Sequence, residues 1–188
     1  MNKLNKKNEV YAVQYNEKVL VIHYDCNRRK YWDRENVCVI GDGNLHNILV
    51  DKVYSIYIGD IETIIIDPLL INYRFTSCSS LFSGFIKLKR IIGLEYLNTS
   101  EVVNMKNMFR GCRSLTSLDL RNFNTSKVLY MDNMFSCCEG LTEVNISSFN
   151  TSDETRMRWM FAECKNLKTI HTGDGWNISK KFSEGIFC

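Results

Sequence analysis

Apolar residues in the second half of the chain recur in two alternating rhythms. In "VVNMKNMFRGC", Val102, Met105, Met108, Phe109 and Cys112 follow one another at intervals of 3, 3, 1 and 3, the spacing that gathers side chains on one face of a helix. In "LTSLDL" the rhythm changes, and Leu115, Leu118 and Leu120 take the L-x-x-L-x-L spacing of a short strand in a leucine-rich repeat. Each unit therefore predicts one helix and one strand. The linking "NFNTS" supplies Asn, Thr and Ser, whose side chains bond to nearby backbone groups, so Thr99, Thr125 or the following Ser is expected to cap the next helix.

The whole pattern returns with a period of about 26 residues, within the range of solenoid repeats. "MFRGCRSLTSLDLRNFNTS" (108–126) becomes "MFSCCEGLTEVNISSFNTS" and then "MFAECKNLKTIHTGDGWNIS". In register, Met105, Met131 and Met157 form one column, as do Met108, Met134 and Met160. The next columns are Phe109, Phe135 and Phe161, then Cys112, Cys138 and Cys164, then Leu115, Leu141 and Leu167. An earlier worn copy places Phe82, Phe85 and Leu88 in the Phe, Cys and Leu columns, and the closing "FSEGIFC" brings Phe187 near the Phe column. One such unit cannot bury its own apolar face, but stacked units can. The expected fold is an α/β repeat. It is a right-handed leucine-rich-repeat solenoid of about four helix–strand turns (near 76–98, 99–124, 125–150 and 151–177, with a partial turn at 178–188), with Leu118, Val144 and Ile170 piled over one another.

Residues 1–75 read differently. Val19, Val21 and His23 alternate with Leu20, Ile22 and Tyr24 after a polar turn at Asn16 to Lys18, which predicts a β-hairpin. "TIIID" predicts a buried strand that stops at Asp67-Pro68, because Pro cannot donate to a ladder. The segment is thus expected to form a β-rich cap over one open edge of the solenoid, an edge that would otherwise invite strand pairing. The C-terminal edge is less protected.

Composition changes the picture little. With 45% hydrophobic and 12% aromatic residues, 188 residues suffice for a packed core. The 24 basic and 21 acidic side chains are intermixed and give a net charge of +3, which excludes a strong polyanion-binding field and argues against nucleic acid. No stretch reaches the length of a membrane span, and no apolar run of a secretory signal develops before Gln14. That fits a cytoplasmic protein or a piece of an exported one, and both readings stay open.

Candidate chemistry is sparse. Eight cysteines occur without a C-x-x-C pair, and a column spacing as long as this one suits no zinc motif. Cys112, Cys138 and Cys164 read as core, and Cys137 and Cys188 as the more exposed thiols. His23, His46 and His171 stand apart from one another, and "GDGN" (41–44) and "GDGW" (173–176) are short turns rather than phosphate cradles. The five N-x-S/T matches at Asn98, Asn124, Asn145, Asn150 and Asn177 read as turn residues multiplied by the repeat. No catalytic set, metal site or cofactor site is expected.

The repeat from Met108 to Ser126 resembles that of the BspA-like leucine-rich-repeat surface proteins, adhesin-type proteins of bacteria and protists with mycoplasma lipoprotein relatives. "YAVQYNEKVLVIHYD", "IETIIIDPLLINYRFTSCSSLFSGF" and "GLEYLNTSEV" resemble, in the same order, that family's lead-in hairpin, bridge and worn first repeat. Phe85 in place of Cys, Glu154 in place of Val102 and Val128, and the inserted "GDGW" depart from the pattern. The resemblance implies binding to extracellular-matrix or cell-surface proteins.

The residues themselves point the same way, since a core built from columns leaves function to the exterior. The outward strand positions are Ser117, Asp119 and Arg121, then Glu143, Asn145 and Ser147, then Thr169 and His171. Trp159, in the column of Asn107 and Asn133 and next to Arg156 and Arg158, is a second candidate contact, because Trp and Arg dominate interface energies. The expected function is protein binding at this polar face, adhesin-like; the alternative is an intracellular or structural scaffold that self-associates through its C-terminal edge.

Overall fold

The computed structural model describes residues 8–25, 37–39, 58–178 and 185–187. Strand β1 (Glu9–Asn16) turns back through Glu17 and Lys18 into β2 (Val19–Asp25), the hairpin that the alternation predicts. A short β3 (Val37–Val39) lies antiparallel on the outer side of β1. On its other side β2 pairs in parallel with β4 (Thr63–Ile66), which pairs in parallel with β5 (Arg90–Ile92). The sheet order is β3-β1-β2-β4-β5. Pro68 ends β4 and opens a short 3-10 helix, Pro68–Asn72, capped by the Asp67 carboxylate.

A second, three-stranded parallel sheet carries the repeats: β6 (Ser117–Asp119), β7 (Glu143–Ile146) and β8 (Thr169–Thr172). Leu118 lies opposite Val144, and Val144 opposite Ile170, as the column alignment requires. Along another side of the coil, single parallel bridges join Ser77 to Asn104, Asn104 to Tyr130 and Tyr130 to Arg156. The result is a β-solenoid of about four turns, each a repeat of roughly 26 residues.

The predicted helices do not form. Among the described residues there is no α-helix, only 3-10 turns of three to five residues. The segments read as helical are chains of tight turns. Met108, Arg110 and Cys112 each donate to a carbonyl three residues back, while Met105, Asn107, Phe109 and Gly111 donate to Tyr130, Asp132, Met134 and Ser136 of the next coil. A helix would spend all of these N–H groups within its own segment. Two residues per coil, four apart, take left-handed backbone angles that end helical winding: Asn107 and Gly111, Asn133 and Cys137, Trp159 and Glu163. Thr99 and Thr125 accordingly cap no helix. Each side-chain oxygen instead bonds the backbone of Asn124 or Asn150 in the following coil.

The inward columns do form as the repeat predicts. Met105, Met108, Met131, Met134, Met157 and Met160 are all fully buried, each contributing roughly 1.5–3 kcal/mol. Phe82, Phe109, Phe135, Phe161 and Phe187 stack ring on ring with centroids 5.1–5.7 Å apart. Phe187 thus joins the Phe column, and the Phe161 N–H donates to the Ile186 carbonyl. In the fourth coil Thr155 takes the inward place that Glu154 cannot, and Glu154 stays exposed. Gly173 of "GDGW" lies against the Ser147 carbonyl, where a Cβ would come within 2.1 Å.

Candidate functional site

Parallel register fixes the outward face of β6, β7 and β8. Ser117, Glu143 and Thr169 form one row across the three strands, and Asp119, Asn145 and His171 form the next. Ser117, Asp119, Arg121, Glu143, Thr169 and His171 are exposed, whereas Asn145 and Ser147 are half-buried. Burying Leu118 and Val144 from alternate positions is what turns this row outward.

Local bonds hold these side chains in place. Asp119 accepts from the Arg121 backbone N–H at 3.2 Å and from its guanidinium at 2.6–3.0 Å. The Arg121 hydrogen bond holds the Asp119 carboxyl below the usual carboxylate range, against a smaller opposing effect of burial. Asn145 Oδ1 accepts from the Ser147 N–H at 3.1 Å, the same turn made with a neutral side chain. His171 Nε2 lies 2.7 Å from Glu143 Oε1 on the adjacent strand. Eight of the nine candidate residues thus share one stretch of surface.

Trp159 is not part of that sheet. It sits in the turn segment after the Tyr130–Arg156 bridge, 46% exposed and with φ of 53°. Arg156 stacks its guanidinium over the Tyr130 ring at 5.7 Å, and the Arg158 N–H donates to the buried Asp132 carboxylate. At the C-terminal edge, Phe161, Cys164, Leu167, Ile170 and Phe187 line a groove of about 520 Å³ beside Lys165 and Lys168.

The column thiols are inert by environment. Cys112, Cys138 and Cys164 each donate to a Phe carbonyl of the preceding coil at 3.0 Å. Burial pushes the Cys112 thiol up to about 12 and that of Cys164 to about 11. Cys137 is half-buried and free. The "GDGN" turn, His46 and Cys188 lie outside the described residues.

One cluster escaped the sequence reading. His23 and Asp25 share a face of β2, and Asp67 follows β4 alongside. One potential ligand atom from each lies within 4.8 Å of the others. Only the H-x-D alternation was visible in the sequence; Asp67 arrives through strand register.

Residues 76–185, more than half of the chain, match the family model described as "Mycoplasma protein of unknown function, DUF285". The chain belongs to that family. No curated protein and no solved structure matches it. Among the described residues no helix is long and apolar enough to cross a membrane.

Proposed function

We propose that this chain is a non-catalytic protein-interaction module that binds partners through the outer face of β6, β7 and β8. The observation that supports this reading most is the preorganised polar surface. The Asp119–Arg121 and Glu143–His171 pairs restrain polar side chains on a regular sheet, so less side-chain entropy remains to be lost on docking. The BspA-like resemblance adds the finer reading, an adhesin-like protein that engages host or neighbouring-cell proteins.

A pulldown with the intact chain, beside one carrying Asp119→Ala, Arg121→Ala, Asn145→Ala and His171→Ala, tests the face. Partner recovery should fall at least tenfold, as expected when several contacts of roughly 1 kcal/mol each are lost. Since Asp119 also shapes its own turn, Asp119→Asn serves as the milder variant that keeps the turn acceptor and removes the charge. Equal recovery by all three proteins would reject the site.

A further inference from the structure

We propose that His23, Asp25 and Asp67 form a divalent-cation site that ties the N-terminal hairpin to the segment that follows β4. His23 and Asp25 lie two residues apart on β2 and so point to the same side of the sheet. Ile22 pairs with Ile66 in the parallel β2–β4 ladder, which sets the following residues, His23 and Asp67, side by side. The donors thus come from two elements far apart in sequence, and an ion held by them joins those elements.

The separation of His23 and Asp67, which is also that of a direct hydrogen bond, matches two ligands on one ion. His23 Nδ1 and Asp67 Oδ2 are 3.2 Å apart, and two ligands each about 2.1 Å from a metal stand roughly 3.0–3.4 Å from one another at octahedral to tetrahedral angles. All three donor atoms fall within 4.8 Å of one another. Neighbours orient the ligands, as outer-shell partners do in metal sites. The Tyr11 hydroxyl donates to Asp25 Oδ1 at 2.8 Å, the Leu69 N–H donates to Asp67 Oδ1 at 2.8 Å, and the Tyr11 ring stacks on the imidazole at 5.2 Å.

The electrostatics agree. The His23 and Asp67 side chains are only 14% and 18% exposed, so water screens charge at this pair weakly. His171, paired with Glu143 at the open surface, is solvated where His23 is enclosed. One imidazole and two carboxylates suit first-row divalent ions such as Mn2+ and Zn2+, with water completing the coordination.

The test uses the intact chain after treatment with a chelator, titrated separately with Mn2+ and Zn2+ by calorimetry and thermal melting. Mn2+ is the discriminating probe because thiolates compete for Zn2+ and not for Mn2+. The expected result is stoichiometric Mn2+ binding with a rise in Tm, both abolished by His23→Gln and by Asp25→Asn and both kept by His171→Gln. No Mn2+ binding to the unaltered chain at millimolar concentration would overturn the site, whatever the variants do. Binding that survives both His23→Gln and Asp25→Asn would overturn it equally.

Discussion

Thr99, Thr125 and Thr151 each accept the backbone N–H of an Asn in the next coil and donate to the carbonyl of that same residue. All three are buried, so the hydroxyl is the partner both groups rely on. Replacing Thr125 by Val keeps the shape and removes both bonds, which should cost about 1–3 kcal/mol. Thr125→Ser keeps the hydroxyl and loses one methyl, so it should cost less. Urea denaturation of the two variants makes the comparison, and an equal loss in both would mean that the methyl, not the bonding, matters. The Asn before Thr99 and Thr125 closes the turn: Asn98 Oδ1 accepts from the N–H and the hydroxyl of Ser100, and Asn124 Oδ1 from those of Ser126. That turn was legible in "NTS" itself. The Thr bond was not, because its partner lies in the following coil and only the solenoid geometry brings it near.

At the scale of the element, the spacing of Met105, Met108, Phe109 and Cys112 predicted which side chains face inward but not the backbone that carries them. A run of tight turns satisfies the same spacing, since its bonds reach back three residues just as the apolar positions do. The signal against a helix lay in Asn107 and Gly111, residue types that accept the left-handed region cheaply. Trp159 occupies the Asn107 and Asn133 position with the same sign of φ although its ring has no such tolerance. Trp159→Asn should therefore stabilise the protein by roughly 1 kcal/mol, read as a higher Tm. If Trp159 is a partner contact, the same variant should capture less partner, a trade of binding for stability common at functional positions. A Tm that falls would show that packing of the indole outweighs the backbone strain.

For the whole molecule, the period of the repeat made the stack legible, including Phe187 as its last ring, because identical columns can bury themselves only against copies of themselves. The His23–Asp67 contact was not legible, since it depends on which residue of β2 meets which residue of β4. The two ends of the stack also differ in a way that composition does not show. β2 covers the edge of β4, whereas in the last coil Cys164, Leu167 and Ile170 remain only partly buried. In a solenoid, stability is close to a sum of nearest-neighbour terms, so one deletion should cost different amounts at different levels. Leu141 has a coil on each side and no exposed surface, and Leu141→Ala should cost about 2–5 kcal/mol. Leu167 lines the terminal groove, where removing the same atoms leaves no closed cavity, and Leu167→Ala should cost less than half as much. Denaturant midpoints for the two variants decide it. Equal losses would mean that the last coil is as fully covered as the middle ones and that the groove is closed in solution.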